Sequence, residues 1–174
     1  MRSQNYGIKI RVSIVSYRDI GQEDQYVILP FTDDASVPKQ FLERLGTKSG
    51  IDYAEDVAGG LQKALEQQWM SKTRYAVIIG DAPAHGTKYH DLKKSDKNDR
   101  FPDGDPEGLI LEEQIVEFVN KKIQIAALRI TEDTETMFAI MNELYQEKSG
   151  KPIMFSKLGK SIEHFNFFLT QSIS

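Results

Sequence analysis

YAVIIGDAPAHG, the stretch from Tyr75 to Gly86, decides the fold. Its first five residues, Tyr75–Ile79, are apolar and mostly β-branched or aromatic, which predicts a short strand buried on both faces inside a parallel sheet. Gly80 ends this strand, and Asp81 follows at its carboxyl end. Ligands of open α/β sheets bind just beyond the carboxyl ends of strands. Asp81 is therefore placed to bind a cation or a polar partner, or else only to stabilise a turn.

The composition is that of one globular domain, with 174 residues of which 40% are hydrophobic and 28% charged. A formal net charge of -4 argues against nucleic-acid binding, which needs concentrated positive charge. The chain has no cysteine, which excludes disulfides, thiolate nucleophiles and thiolate metal sites. It has no apolar run of the roughly 20 residues that a spanning helix needs, and it begins without an apolar signal segment. We therefore expect a cytoplasmic protein that does not insert into membranes.

An antiparallel hairpin is predicted before this strand. Residues Ile8–Ile20 alternate apolar and polar side chains, which predicts a strand with one solvated face, and Gln25–Thr32 predicts a second strand after a short polar turn. The apolar positions that share one face of the first strand are Ile8, Ile10, Val12 and Ile14. Pro30 removes a backbone donor, so the second strand should lie at an edge.

Two helices are predicted between the hairpin and the strand at Tyr75. Ser36 is the predicted N-cap of the first, which ends at Gly46. The second spans Ile51–Trp69, with Asp52 as its N-cap and Glu55 three residues later. Val37, Phe41, Leu42 and Leu45 share one face of the first helix, and the residues of the second that are predicted to face the core are Val57, Leu61, Leu65 and Trp69. Gly59 and Gly60 indicate the close approach of another backbone or of a ligand, with helix-on-sheet packing the favoured interpretation.

The second half of the chain alternates helices and strands after a long irregular loop from Asp81 to Asp105. A helix is predicted from Asp105-Pro106-Glu107, because these residues combine an N-cap, a first-turn proline and a first-turn acid. The remaining predicted elements are the strand Ile123–Ile130, a helix from Asp133 or Thr134 to Ser149-Gly150, the strand Pro152–Phe155 and a helix over Gly159–Ser174. This alternation predicts one α/β domain over residues 1–174, in which helices cover the faces of a mostly parallel sheet.

Acidic residues at two predicted loops suggest a metal site. Asp52 and Asp81 should meet at one end of the sheet, and carboxylates from separate loops suit a hard cation such as magnesium. Alternatively, Asp52 is an N-cap and Asp81 belongs to a turn.

A second candidate site lies in HGTKYHD. There His85, His90 and Asp91 offer zinc ligands, although the spacing of the histidines does not place them on one helical face, and solvated loop histidines are the alternative interpretation. Residues 99–110 do not form an EF-hand, because Phe101 and Ile110 stand where that loop needs acids. The sequence contains no glycine-rich phosphate loop, nucleophile elbow or paired catalytic base.

Several segments together resemble a von Willebrand factor A domain, most closely those that accompany alpha-kinases. They are SYRDI, AEDVAGGLQKAL after Asp52, VIIGDAPAHG, FPDGDPEGL and IAALRIT, and the likeness runs from about Lys9 to Tyr145. The resemblance implies a doubly wound, mostly parallel sheet and a metal-ion-dependent adhesion site that binds magnesium. By resemblance, Asp52 takes the second-loop position of that site and Asp81 the third, with Glu55 able to substitute for Asp52.

The sequence departs from this family in two respects. It lacks the DxSxS motif, and it starts where the second strand of the family starts, so the central first strand is absent. The resemblance therefore implies a domain truncated at its N-terminus, with an incomplete site that holds magnesium weakly. The unpaired backbone groups must be satisfied, so either the strand from Ile8 pairs directly with Tyr75–Ile79, or another segment fills the gap, or the edges stay open and allow self-association or assembly through an open sheet edge.

The sequence thus supports a non-enzymatic domain that binds a protein partner at the loops beyond the sheet. One alternative is a metal-dependent hydrolase that uses Asp81, His85, His90 and Asp91. The other is a fragment of an alpha-kinase-type protein.

Overall fold

The computed structural model describes residues 9–46, 50–92 and 97–157. The predicted hairpin is confirmed: β1 (Val12–Tyr17) pairs antiparallel with β2 (Tyr26–Thr32), with Tyr17 opposite Tyr26. Pro30 is exposed on β2, whose paired neighbour among the described strands is β1. This position fits the predicted edge strand, because proline cannot donate a ladder hydrogen bond.

The predicted parallel sheet is also confirmed. It contains β3 (Tyr75–Gly80), β4 (Gln124–Arg129) and β5 (Met154–Lys157), with β4 in the centre and all pairs parallel. The described strands thus form two separate sheets, the hairpin and the parallel sheet, rather than one continuous sheet.

The expectation that β3 is buried on both faces is wrong. Ile78 and Gly80 are buried, but Val77 is 38% and Ile79 is 50% exposed. The physical reason is the position of β3 at the edge of its sheet, where alternate residues point away from the helices. An apolar strand of this kind is thus covered on one face only.

The helices are α1 (Ser36–Arg44), α2 (Val57–Leu65), α3 (Leu111–Asn120) and α4 (Glu135–Ser149). One core cluster joins α2, α3 and α4 to the same face of the parallel sheet; its buried members include Val57, Leu61, Leu65, Ile78, Leu111, Ile115, Phe118, Ile125, Ala127, Met137, Phe138 and Met141. Helix α1 contacts the hairpin instead and has no fully buried residue; of the residues predicted to share one face, Val37, Phe41 and Leu45 are half-buried and Leu42 is exposed.

Two predicted helix starts are wrong by several residues. Asp56, not Asp52, caps α2, because its Oδ1 accepts a hydrogen bond from the Gly59 amide at 2.7 Å. Helix α3 begins at Leu111, since Asp105 instead folds a turn by accepting from the Glu107 amide at 2.8 Å. The predicted stop of α4 is confirmed, with Gly150 as a left-handed C-cap at φ +75°.

The glycine pair of α2 is explained by close packing against the hairpin, as predicted. A Cβ at Gly60 would lie 2.6 Å from Cδ1 of Tyr17, and a Cβ at Gly59 would overlap the hydroxyl of Tyr26. Glycine at both positions therefore lets α2 approach β1 and β2 closely. The predicted helix Gly159–Ser174 lies outside the described residues. No helix in the described part of the chain is both long and apolar enough to cross a membrane.

Candidate metal centre

Three loops converge beyond the carboxyl ends of β1 and β3. Asp19 lies two residues after β1, and residues 50–56 lead into α2. The loop after β3 meets the latter segment through a parallel bridge between Glu55 and Ala84, where the Glu55 amide donates to the Pro83 carbonyl at 2.9 Å. The expected meeting of loops at one end of the sheet is therefore observed, with the end of the hairpin included.

The centre of this region is a cluster of Asp19, Asp52 and His85. One ligand atom from each residue lies within 4.8 Å of those of the other two. Asp19 and His85 are buried, and Asp52 is half-buried. Two carboxylates and an imidazole so arranged are the donor types that divalent cations take in proteins.

Several carboxylate oxygens in this cluster lack hydrogen-bond donors, although they are buried. Oδ1 of Asp52 and Oε2 of neighbouring Glu55 have none, and Oδ2 of Asp19 has only an ion pair with Arg100 at 3.5 Å. Buried polar atoms are normally satisfied, and exceptions call for an explanation such as a bound ion. The residues present therefore fit a cation.

The pKa values report the same excess of negative charge. Burial, followed by the charges of Asp19, Asp81 and Asp52, raises the pKa of Glu55 to about 7. Burial also raises the pKa of Asp52, although the Arg100 amide donates to its Oδ2 and lowers it. A cation among these groups would relieve their mutual repulsion.

His85 is held between two carboxylates. Its Nδ1 lies 2.8 Å from Oδ1 of Asp99, and its Nε2 lies 3.0 Å from Oδ1 of Asp19. A neutral imidazole that donates from Nδ1 to Asp99 turns the lone pair of Nε2 toward Asp19, and two acceptors then face each other. Either a second proton or a metal ion resolves this conflict. A carboxylate behind a ligating histidine is the usual orienting partner at metal sites.

Asp99 organises the loop that carries both histidines. It accepts from His85, from Nε2 of His90 at 2.8 Å, and from the amides of Gly86 and Phe101 at 2.9 and 2.8 Å. The Leu92 amide donates to the other ring nitrogen of His90 at 3.4 Å, so this buried histidine is committed to structure. His85 and His90 therefore contact the same carboxylate, that of Asp99, and only His85 belongs to the ligand cluster.

The remaining acidic candidates from the sequence lie outside the cluster. Asp81 is exposed at the end of β3, and its charge adds to the effect of burial, which is the main cause of the raised pKa values of Glu55 and Tyr17. It does not belong to the three-residue ligand group found among the described residues. Asp91 is likewise exposed and outside that group. Metal binding by Asp52, Glu55 and Asp81 stays a prediction, with Asp52 in the cluster and Glu55 beside it.

Asp19 is the residue that sequence reasoning missed as a ligand. It follows the end of β1 as Asp81 follows the end of β3, and that position was the available signal. The identity of its partner His85 depends on loop geometry, because the two residues are 66 positions apart. The Arg100 side chain also holds the segment that carries Asp19, because it donates to the Ile20 carbonyl at 2.7 Å.

Part of this chain is similar in sequence to part of an alpha-kinase. The chain is 33% identical over 85 residues to the alpha-protein kinase vwkA of Dictyostelium discoideum, a match that covers 48% of this chain and 13% of that protein. The chain is therefore weakly homologous to a short part of a much longer protein. No protein-family model matches it, and no solved structure matches it. The predicted link to alpha-kinase-associated proteins is confirmed at this level, while the A-domain assignment stays a prediction.

Proposed function

We propose that this chain is a non-enzymatic protein-interaction domain of the von Willebrand factor A type, which binds its partner at a divalent cation held by Asp19, Asp52 and His85. The observation that carries the proposal is the gathering of these three ligand atoms within 4.8 Å, next to buried oxygens that lack donors. Glu55 stands beside them as a further carboxylate ligand. A carboxylate of the partner would complete the coordination.

The arrangement of elements supports the domain type. An antiparallel hairpin precedes strands that alternate with helices, and the site lies beyond the carboxyl ends of β1 and β3. The weak homology to a short part of an alpha-kinase supports the further proposal that the chain is a segment of an alpha-kinase-type protein.

The chemistry supports binding rather than catalysis. In this proposal Nδ1 of His85 is held by Asp99 and Nε2 faces the ion beside Asp19, so neither ring nitrogen is assigned to activating a nucleophile. A cleft of about 510 Å³ opens beside the cluster, and Glu55 and His85 form part of its wall with Thr87, Lys88 and Asp103. This cleft gives a partner side chain access to the edge of the cluster.

Magnesium is the proposed cation, because carboxylate oxygens predominate among the donors. Imidazole is a ligand that zinc accepts more readily, so the nature of the ion is decided by comparison of magnesium, manganese and zinc.

The test is thermal melting and titration calorimetry of the full chain, first with a chelator and then with each ion. We expect saturable binding and a higher Tm, since an ion at 100 times its Kd stabilises the folded state by about 2.7 kcal/mol. Asp19→Asn should abolish the response, whereas the control Asp103→Asn, at an exposed acid outside the cluster, should keep it. A chain that binds none of the three ions, or an Asp19→Asn variant that responds like the wild type, would contradict the proposal.

A further inference from the structure

We infer, on the basis of the cation site proposed above, that Arg100 is the internal counter-ion of the cluster of Asp19, Asp52 and His85. The bound cation then replaces a positive charge that the chain already supplies. It acts as a reversible ligand, bound above a concentration that Arg100 sets, rather than as an ion that the fold requires.

Arg100 contacts both carboxylates of the cluster. Its amide donates a hydrogen bond to Oδ2 of Asp52, and its Nη2 lies 3.5 Å from Oδ2 of Asp19. The residue before it, Asp99, holds the ring of His85 at 2.8 Å. Arg100 is therefore positioned beside all three members of the cluster by its backbone and by its side chain.

The guanidinium group of Arg100 is held mainly by groups other than Asp19. Its Nη2 donates to the Ile20 carbonyl at 2.7 Å, and its central carbon lies 5.0 Å from the centroid of the Phe101 ring, within the range of a cation–π contact. The 3.5 Å ion pair is longer than a charge-assisted hydrogen bond of about 2.8 Å, and Oδ2 of Asp19 has no hydrogen-bond donor. The guanidinium thus supplies charge to Asp19 and leaves its ligand oxygen available to an ion.

The guanidinium balances a buried negative charge. Asp19 is fully buried, at 0% exposure, and a buried carboxylate is costly unless a cation lies near it. Arginine keeps its proton at any ordinary pH, so the positive charge beside Asp19 is permanent. The side chain of Arg100 is 35% exposed, so it reaches the cluster from the surface and has water into which it can withdraw. The chain is therefore able to fold without an ion.

An ion at the cluster must compete with this charge. A cation bound by Asp19 lies next to the guanidinium, and the two like charges repel each other. The exposed guanidinium then withdraws from Asp19, and the ion binds more weakly by the free energy that this withdrawal costs. Arg100 thus sets the ion concentration at which the site fills.

The first experiment measures ion affinity by titration calorimetry and stability by thermal melting of the full chain, with magnesium, manganese and zinc as probes. We expect Arg100→Gln to bind the ion at least about tenfold more tightly than the wild type and to melt at a lower temperature in chelator. Arg100→Lys keeps the charge and should stay closer to the wild type in both measurements. The control is Arg74→Gln, because Arg74 also donates to backbone carbonyls but lies at the amino end of β3; its ion affinity should be unchanged.

Two outcomes contradict the assignment in different ways. If the wild type binds an ion and Arg100→Gln binds it equally or more weakly, the role of Arg100 is overturned and the cation site stands. If neither chain binds any of the three ions, the cation site itself is contradicted, and the role of Arg100 with it.

A second experiment follows the guanidinium group in the wild-type chain, so it does not depend on how well a variant folds. Phenylglyoxal modifies accessible guanidinium groups, and mass spectrometry of the digested chain gives the rate at each arginine. We expect a saturating ion to speed the modification of Arg100 and to leave that of Arg74 unchanged. A rate at Arg100 that stays the same or falls in the ion-saturated chain would overturn the inference, because the ion would then bind without displacing the guanidinium.

Discussion

Without a bound cation, the carboxylate of Asp52 lowers the stability of the folded state. Its Oδ1 is buried without a donor and its pKa is raised by burial, so the ionised carboxylate destabilises the folded state. The neutral amide of Asp52→Asn can still accept from the Arg100 amide and can donate to a neighbouring acid.

We therefore expect Asp52→Asn to raise the free energy of unfolding in chelator by about 1 kcal/mol and to remove the stabilisation by added ion. Urea denaturation at neutral pH, with and without the ion, measures both effects. Loss of stability in chelator would mean that the carboxylate is needed by the fold itself.

A substitution at Gly60 tests how closely α2 packs against the hairpin. A methyl group there would lie 2.6 Å from the Tyr17 ring, and overpacking of this kind costs about 1–3 kcal/mol. We expect Gly60→Ala to lower the free energy of unfolding by that amount, although alanine is ordinarily the better helix former.

The matched control is Gly46→Ala, where an added Cβ meets no atom within 4 Å. A stabilised Gly60→Ala variant would show that α2 and β1 are further apart than described.

At the scale of elements, the sequence predicted the strands and helices better than their ends. Periodicity and glycine positions were sufficient for the hairpin, for the parallel strands and for the end of α4. The helix starts were predicted wrongly because several residues near each start have side chains that are able to cap a helix. Asp52 with Glu55 satisfies the local pattern, but Asp56 is the cap, since Tyr26 and Gln25 of the distant hairpin also donate to it.

A hydrogen bond and an ion pair to Glu112 join the loop before α3 to that helix. Glu112 accepts from the hydroxyl of Tyr89 at 2.7 Å and pairs with Lys88 at 2.7 Å. Burial raises the pKa of Glu112, but these two partners outweigh it, so the pKa lies below its usual value. The carboxylate therefore contributes stability above about pH 4.5, and this contribution is lost as the pH falls through the lowered pKa.

We expect Glu112→Gln to be less stable than the wild type at pH 6, by less than about 1 kcal/mol, and the difference to shrink as the pH falls through the lowered pKa of Glu112. Thermal melting across this range measures it. Glu113→Gln is the control, because Glu113 is an exposed acid in the same turn of α3. A difference that grows as the pH falls would contradict the assigned pairing.

At the scale of the whole molecule, the division into two sheets predicts unequal stability. Strand β4 has a paired neighbour on each side, whereas the hairpin is a two-stranded sheet held by α1, α2 and loop contacts. Isolated hairpins are marginally stable, and local opening follows such differences.

Amide hydrogen exchange should therefore be at least about tenfold faster in β1 than in β4. Equal protection of β1 and β4 would mean that the two sheets open only as one unit.

The sequence also could not show how the two sheets are connected. Neither the periodicity nor the resemblance indicated that Asp19, after the hairpin, would meet His85, after β3. That contact depends on Asp99, which orients His85 from a loop that has no regular pattern. Sites of this kind arise from tertiary contacts between residues far apart in the chain, and local sequence patterns do not encode them.

The contact between Asp19 and His85 has a thermodynamic consequence. Asp19 follows the hairpin and His85 follows β3 of the parallel sheet, so one ion at this point would be shared by the two sheets. By linkage, such an ion would resist separation of the sheets by the same free energy with which their separation weakens ion binding. The ion would then act as a cross-link between the two sheets, and one that a chelator removes.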